Sequence, residues 1–150
     1  MNPYEMIKTH LTNSIPFARH AGVEIVSVGD GEAEAVLPAT PETANHIGTP
    51  HAGAVFTLGE TASGAALAGT IAPVLLESRP VAAEAKISYL ALAKGRLTAK
   101  ARSSIPGAEA LATLKSEGRV KFDVIVDITD ETGTKVNEMT VAWHVKPAKG

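Results

Sequence analysis

Six segments of the chain alternate between hydrophobic and polar residues, the pattern of half-buried β-strands. The segments are 23–28, 32–37, 81–89, 96–104, 120–128 and 139–145. The clearest is 120–128, in which every second residue from Val120 to Ile128 is apolar. The first two segments are joined by Gly29-Asp30-Gly31, a sequence typical of a hairpin turn.

One long stretch, residues 52–71, lacks this alternation and is rich in alanine. Its length and its alanines favour a helix over a strand. Four glycines, three threonines and a serine dilute its hydrophobicity, and Glu60 is its only charged residue. A carboxylate at the centre of a bilayer costs about 2.5–3.5 kcal/mol. The stretch is therefore predicted to be a helix buried within the protein rather than a membrane span.

Shorter helices are predicted near the N-terminus and between two later strands. Asn2 is a suitable cap for a first helix, Pro3 suits its first position, and Glu5 has the spacing of a capping box. Residues 14–20 indicate a turn or a short second helical piece, and residues 108–115 indicate one or two helical turns.

Two strands, a long helix and four further strands with a small helical insert define an α+β fold. The small residues of the long helix imply close contact all round, as when an antiparallel sheet curls about a central helix. At 150 residues, the chain is expected to form a single domain over 1–150.

Composition narrows the function. The chain has no cysteine, which excludes disulfides and metal sites built on thiolates. A net charge of −2 and an aromatic content of 4% argue against nucleic-acid binding. The N-terminus lacks the pattern of a secretory signal, so a cytoplasmic location without membrane association is expected.

Glu60 is the residue on which the functional prediction depends. Charged residues are rarely buried without a partner, and no Lys or Arg occurs between Arg19 and Arg79. A half-desolvated carboxylate is a natural general base or nucleophile. The alternative is a glutamate at a helix surface or in an ion pair at a subunit interface.

The loop that leads into the long helix strengthens the catalytic interpretation. Residues 38–50 contain three prolines and indicate an irregular segment. The first backbone N–H groups of a helix have no intrahelical partner, and small residues such as Ala52 and Gly53 let a ligand approach them closely. Backbone alone can therefore form an oxyanion site there. Glu60 lies about two turns further along, and the spacing leaves open whether it serves its own chain or a partner.

Other polar residues near this point have both a functional and a structural interpretation. Asn45 is a turn residue or orients water or a carbonyl, whereas His46 and His51 are loop or capping residues or a pair of metal ligands. Ser63 and Gly64 share a face with Glu60, where they line a pocket or let the helix pack. No metal or other cofactor is expected, because Glu60 is the only potential ligand near the two histidines. His10, His20 and His144 are interpreted as structural.

The run 45–64 (NHIGTPHAGAVFTLGETASG) resembles the signature of hotdog-fold acyl-CoA thioesterases of the phenylacetic-acid (PaaI-like) and 4-hydroxybenzoyl-CoA groups. It is nearest to a thioesterase-like branch that carries His-Ala-Gly and a glutamate. Those families place Asn or Gln, then Gly, then His-Gly-Gly, then Asp or Glu on the central helix. The matching positions here are Asn45, Gly48, His51-Ala52-Gly53 and Glu60.

The resemblance implies a hotdog fold, a homo-oligomer (dimer or tetramer) with its site between subunits, and hydrolysis of an acyl-CoA. Glu60 would be nucleophile or general base, the Ala52 N–H would polarise the thioester carbonyl, and Asn45 would orient the carbonyl or water. Two positions depart from the families' pattern. Ala52 replaces a glycine, and Gly64 replaces a water-assisting Ser or Thr, a role left vacant or taken by Ser63.

The candidate residues for substrate binding are Gly48, His51, Phe56, Ser63 and Gly64. Leu67 and the third strand are further candidates for the pocket wall, and Lys94, Arg96 and Arg102 are cations available to the CoA phosphates.

Two other functions remain open. His46 precedes Glu60 by fourteen residues, an interval shared with acyl-thioester dehydratases of the fatty-acid type. The Pro-Gly of that pattern, however, is replaced here by Ala54-Val55. The third possibility is a hotdog protein that binds acyl-CoA without hydrolysing it.

Overall fold

The computed structural model of the chain describes residues 2–148 and has four helices and six strands over that range. In chain order these are α1 (Pro3–Ser14), α2 (Pro16–Ala21), β1 (Glu24–Gly29), β2 (Glu32–Leu37), α3 (Ala52–Thr70), β3 (Ser78–Tyr89), β4 (Leu97–Ser103), α4 (Gly107–Glu117), β5 (Val120–Thr129) and β6 (Lys135–Pro147). Short 3-10 turns at Pro41–Thr43 and Ala72–Glu77 lie on either side of α3.

The six strands form one antiparallel sheet in the order β1-β2-β4-β5-β6-β3. All six predicted strands and the long helix are confirmed, which establishes the α+β class. The predicted segments 96–104 and 120–128 agree with β4 and β5 to within one residue at each end. The last strand is longer than predicted, because its pairing with β5 already begins at Lys135.

The central helix α3 packs closely against the sheet because several of the residues between them are small. Leu58 and Ala62 are fully buried, and a Cβ added at Gly59 would meet the sulfur of Met139 at 2.5 Å. At the other end of α3, a Cβ on Gly69 would overlap the carbonyl oxygen of Gly29. The glycines that dilute the helix's hydrophobicity therefore let it lie directly on the strands.

Strand β3 departs from the predicted alternation. Ala82 pairs with Trp143 and Glu84 with Ala142, so Ala83 is the extra residue of a β-bulge. The bulge moves the residues that follow it to the opposite face. The continuous alternation predicted across 81–89 is therefore wrong at its centre.

The same strand is an edge of the sheet. Within residues 2–148, β3 pairs only with β6, and nine of its twelve residues are exposed, including Val81 and Tyr89. An unpaired edge carrying small and apolar side chains is a template for pairing with another chain.

The three shorter helices pack against α3, and α1 and α4 also contact the sheet. The Asn2 side chain caps α1 by accepting the Glu5 N–H at 2.9 Å, as predicted. The second helical piece is α2, which begins at Pro16 and ends before Gly22 in the left-handed region (φ 88°). Across residues 2–148, the helices are all too short or too polar to pass through a bilayer.

Candidate active site at the start of the central helix

The first turn of α3 is capped by the side chain of His51. The Gly53 N–H donates to the imidazole Nδ1 at 2.8 Å, and the Val55 N–H donates to the His51 carbonyl at 3.0 Å. Because Nδ1 accepts, it carries no proton, and a neutral imidazole in this position has its proton on Nε2. His51 therefore faces its surroundings as a hydrogen-bond donor.

The His51 cap leaves two backbone N–H groups in the first turn of α3 without a hydrogen-bond acceptor. Among the described residues, neither the Ala52 nor the Ala54 N–H group forms a hydrogen bond. Both groups lie at the positive end of a 19-residue helix. The open donors are therefore those of Ala52 and Ala54, whereas the Gly53 N–H, predicted as part of the same site, is held by His51.

Asn45 organises the loop that precedes the helix. Its Oδ1 accepts the Ile47 N–H at 3.1 Å and the Thr49 N–H at 3.0 Å, and its Nδ2 donates to the Thr49 hydroxyl at 2.7 Å. Gly48, with φ at 81°, supplies the left-handed residue of this turn. The geometry shows Asn45 as a turn residue. One of its two amide hydrogens has no partner among the described residues, and half of the side chain's donor capacity therefore stays open.

Glu60 lies in the middle of α3 and is half-buried. Within residues 2–148, its carboxylate forms neither an ion pair nor a hydrogen bond. Burial raises the pKa of Glu60 above its usual value of 4.5. An unpaired, partly desolvated carboxylate is a stronger base than a solvated one, because protonation relieves the cost of its burial.

The residues around Glu60 differ in how open they are. Phe56 and Gly64 are half-buried on the same side of α3. Ser63 is fully buried, and its hydroxyl donates to the Glu60 carbonyl at 2.7 Å. Ser63 therefore contacts the helix backbone rather than open space. A Cβ at Gly64 would lie 3.7 Å from the ring of Trp143, so the indole occupies the space beside this glycine.

The distance along the helix determines whether Glu60 can act on a carbonyl that is bound to the open N–H groups of its own chain. Eight residues separate Ala52 from Glu60, which corresponds to about 12 Å along the axis. A carbonyl bound to the Ala52 N–H lies beyond the helix start, further still from Glu60. A glutamate side chain is too short for that distance, so Glu60 and Ala52 of one chain cannot act on the same carbonyl.

Two residues near the helix start were missed from the sequence. The Tyr89 hydroxyl, at the end of β3, donates to the Ala52 carbonyl at 3.3 Å. The Thr57 hydroxyl donates to the Gly53 carbonyl at 2.9 Å. Tyr89 is 37 residues from Ala52 in the chain, and only the strand register brings them together. For Thr57 a signal was available, since it is one turn from both Gly53 and Glu60.

The other predicted residues lie on the surface, and Arg102 lies near the opposite end of α3, since its partner Glu32 pairs with Gly29, which contacts Gly69. His46 is exposed in the Asn45 turn and has no side-chain hydrogen bond to Glu60 in the part of the chain described. Lys94 and Arg96 are exposed and flank Gly95. Arg102 is on the outer face of the sheet, where it donates to Asp127 at 2.8 Å. In residues 2–148, no three metal-ligating side chains converge.

A six-stranded antiparallel sheet wrapped around one long helix is the hotdog fold, and comparison with solved structures agrees. A Pseudomonas aeruginosa protein of unknown function described as a "probable thioesterase" is 23% identical with a TM-score of 0.82, over 95% of both chains. The Escherichia coli PaaI protein from the phenylacetic acid degradation operon is 19% identical with a TM-score of 0.76, over 95% of this chain and 92% of the other. The predicted fold is thereby confirmed.

Within this fold, the chain belongs to the DUF4442 family, a domain of unknown function whose model matches residues 4–145. A thioesterase from Staphylococcus aureus is a further structural relative, 22% identical with a TM-score of 0.73, over 89% of this chain and 100% of that one. That protein has been studied as alanine variants of a glutamine and a glutamate fifteen residues apart. No curated protein matches the sequence.

Proposed function

We propose that the protein hydrolyses an acyl-CoA thioester to the free acid and CoA. The observation that carries the proposal is that α3 presents two kinds of open group, which a pair of subunits can bring together at one substrate. Open N–H donors at the start of α3 suit a developing oxyanion, and an unpaired carboxylate at Glu60 suits a base or nucleophile. Hydrolysis of a thioester needs both.

In this proposal, the Ala52 N–H binds the thioester carbonyl oxygen. As general base, Glu60 removes a proton from water while the water oxygen bonds to the carbonyl carbon. The C–S bond then breaks and the CoA sulfur takes up a proton. As nucleophile, the Glu60 carboxylate itself attacks the carbon and the C–S bond breaks to release CoA, after which water cleaves the resulting anhydride to the free acid and the Glu60 carboxylate. In both routes, negative charge forms on the carbonyl oxygen next to Ala52.

The separation of Ala52 and Glu60 along α3 requires a second subunit. We infer a homo-oligomer (dimer or tetramer) in which Ala52 of one protomer and Glu60 of the other complete each site. The exposed edge of β3 supports this inference, because it carries apolar side chains and an open row of backbone groups. Tyr89 connects this edge to the Ala52 carbonyl.

The remaining predicted residues take supporting roles. Asn45 and Gly48 shape the loop before α3, and the open amide hydrogen of Asn45 is available to the carbonyl or to water. His51 holds the first turn and presents its Nε2–H to substrate. Phe56 and Gly64 line the face of α3 that carries Glu60.

The relatives support the same reaction. Thioesterases are among the solved structures with this fold, and in the Staphylococcus aureus enzyme the glutamine and glutamate replaced by alanine are fifteen residues apart. Asn45 and Glu60 have the same separation. A dehydratase would need His46 beside Glu60. Within residues 2–148 of one chain the two residues form no hydrogen bond, so this alternative would also need a second subunit.

The test is thiol release from a panel of short-chain, medium-chain and aryl acyl-CoAs. The proposal predicts turnover of at least one, and predicts that Glu60→Gln abolishes it. Binding of acyl-CoA by the wild-type protein without thiol release from any member, at high protein concentration, would instead establish a non-catalytic binding protein.

A further inference from the structure

The indole N–H of Trp143 on β6 is a buried hydrogen-bond donor without an acceptor. Trp143 is 7% exposed, and its Nε1 has no hydrogen-bond partner within residues 2–148. Buried polar groups in native proteins nearly always have a partner. The unsatisfied N–H therefore marks a place where an acceptor is expected, and the groups around the indole indicate which one.

The N–H lies on the edge of the ring that faces α3 at Gly64. The ring atoms nearest to a Cβ built on Gly64 are Cζ2 at 3.7 Å and Cη2 at 3.8 Å. In an indole, Cζ2 is bonded to the carbon that carries Nε1, so both atoms lie on the same edge. A side chain at position 64 would extend over the preceding turn of the helix. The indole takes that space, and its N–H edge therefore lies over the turn that contains Glu60.

This turn of α3 carries an acceptor without a donor. Glu60 and Gly64 are one turn apart on the same face, and Glu60 is the single charged residue of the helix. The Glu60 carbonyl already accepts from the Ser63 hydroxyl. The Glu60 carboxylate, by contrast, has no hydrogen bond or ion pair within residues 2–148. An unpaired donor and an unpaired acceptor therefore lie on one side of the same helical turn.

The strands around Trp143 carry their charges on the other face of the sheet. Trp143 is opposite Ala82 on β3 and Phe122 on β5, and residues opposite one another share a face. The charged and titratable residues near it on these strands are exposed and pair with the alternate positions of β6 or occupy them. They are Arg79, Glu84 and Lys86 on β3, Lys121 and Asp123 on β5, and His144 and Lys146 on β6. Among these strands and α3, Glu60 is therefore the titratable group on the indole's side.

Assembly supplies the reason for this pair to form. In a single chain the half-buried carboxylate of Glu60 still reaches water. In the oligomer inferred above, a second subunit covers Glu60, and a carboxylate deprived of water needs a donor. Rotation of the Glu60 side chain toward Gly64 meets the indole N–H, since Gly64 has no side chain to block it.

We propose, on the basis of the hydrolytic function above, that the Trp143 Nε1–H donates a hydrogen bond to the Glu60 carboxylate in the assembled protein and positions it for the reaction. Trp143 touches neither the substrate nor the reacting atoms and is a positioning residue. A donor to the ionised form favours that form, so the bond offsets part of the rise in the pKa of Glu60 that burial causes.

The first experiment uses the fact that Trp143 is the only tryptophan of the chain. Nuclear magnetic resonance of isotope-labelled protein follows its single indole N–H signal between about pH 4 and 8. A hydrogen bond strengthens when its acceptor ionises, so the signal should move downfield as Glu60 ionises, and Glu60→Gln should abolish this transition. A signal that does not move would contradict the pairing. So would a transition that persists unchanged in Glu60→Gln, because it would come from a histidine such as His144, or His46 or His51 of a second subunit.

The second experiment removes the donor and keeps a ring in the core. Trp143→Phe should lower kcat about tenfold, change KM by less than about twofold, and move the acid limb of kcat to higher pH by about one unit. Phe122→Leu removes another buried ring beside Trp143 without removing an N–H, and it is the matched control. It should leave the acid limb in place and change kcat by less than about threefold. Equal effects of the two substitutions would show a packing role only and would overturn the proposal.

The positioning proposal and the hydrolytic proposal fail separately. If wild type releases no thiol but its indole signal titrates with Glu60, the hydrolytic function is wrong and the Trp143–Glu60 pair stands. If turnover depends on Glu60 while the indole signal is indifferent to Glu60→Gln, the pair is wrong and the hydrolytic function stands. Should Trp143→Phe fail to fold, the comparison of wild type with Glu60→Gln decides alone.

Discussion

His51 caps the central helix through its own ring, with Nδ1 accepting the Gly53 N–H at 2.8 Å. The bond fixes two properties of the site together. It removes the Gly53 N–H from the set of open donors, and it sets the imidazole so that Nε2–H points outward. The cap therefore decides which backbone groups can meet a carbonyl.

His51→Ala should lower the free energy of unfolding by about 1 kcal/mol, the usual effect of losing an N-cap. His51→Asn should restore most of this stability, since an asparagine oxygen can accept the same N–H. Urea unfolding of the three proteins measures the difference. If the asparagine variant is stable and fully active, His51 is a cap only. If it is stable but impaired, the imidazole Nε2–H contacts substrate.

The pH dependence of activity should reflect the burial of Glu60, which raises its pKa above 4.5. Both proposed roles need the ionised carboxylate, so kcat/KM should fall as pH decreases through an apparent pKa above 4.5. A pH–rate profile between pH 4 and 8 measures this. An acid limb centred below 4.5 would mean that Glu60 is not the titrating group.

Stability should depend on the same group with the opposite trend. A raised carboxyl pKa means that folding favours the protonated form, so this contribution is complete below pH 4.5 and is lost as pH rises through the folded-state pKa. Glu60→Gln cannot ionise. Its free energy of unfolding relative to wild type should therefore increase as pH rises through this window, and a difference independent of pH would contradict the burial of the carboxylate.

Two glycines of α3 provide a matched pair for the packing of the central helix. Gly69→Ala would place a methyl group on the Gly29 carbonyl oxygen and should cost about 3 kcal/mol or more. At Gly64 the nearest atom to an added Cβ is 3.7 Å away, so Gly64→Ala should be neutral or stabilising by up to about 1 kcal/mol. Thermal unfolding compares them. Equal effects would show that α3 does not lie against β1 as described.

A site shared between subunits predicts complementation. Glu60→Gln and Asn45→Ala should each be inactive alone, because each damages one side of every site. When the two are coexpressed, mixed dimers contain one intact site, and the mixture should regain about a quarter of wild-type activity. Glu60→Gln coexpressed with Glu60→Ala is the control and should stay inactive. Failure of the first mixture to regain activity would place both residues in the same chain's site.

Much of the architecture could be predicted because burial differs strongly between the faces of most strands. From Val120 to Ile128 every second side chain lies in the core, and the sequence shows that difference directly. The bulge at Ala83 could not be predicted, because β3 is an exposed edge with small residues on both faces. Because the residues on the two faces of β3 differ little in hydrophobicity, the sequence does not show where the bulge moves side chains from one face to the other.

For the candidate site, the sequence indicated which segment carries the functional residues but not which backbone N–H groups stay open to a ligand. Glu60 was predicted from its isolated charge, and the donors at the start of α3 were predicted from the position of the helix boundary. The occupation of the Gly53 N–H by His51 depends on a rotamer and a tautomer, and the contact of Tyr89 with Ala52 depends on strand register. Such features arise from tertiary packing, which a local pattern does not encode.

Comparison of wild type with Glu60→Gln tests the central claim most directly. With a substrate from the active panel, the variant should lose at least about a hundredfold in kcat while acyl-CoA still binds. Glu109→Gln, at an exposed carboxylate on α4, is the control and should keep full activity. Thiol release by Glu60→Gln at the wild-type rate would contradict the assignment of the reaction to this carboxylate.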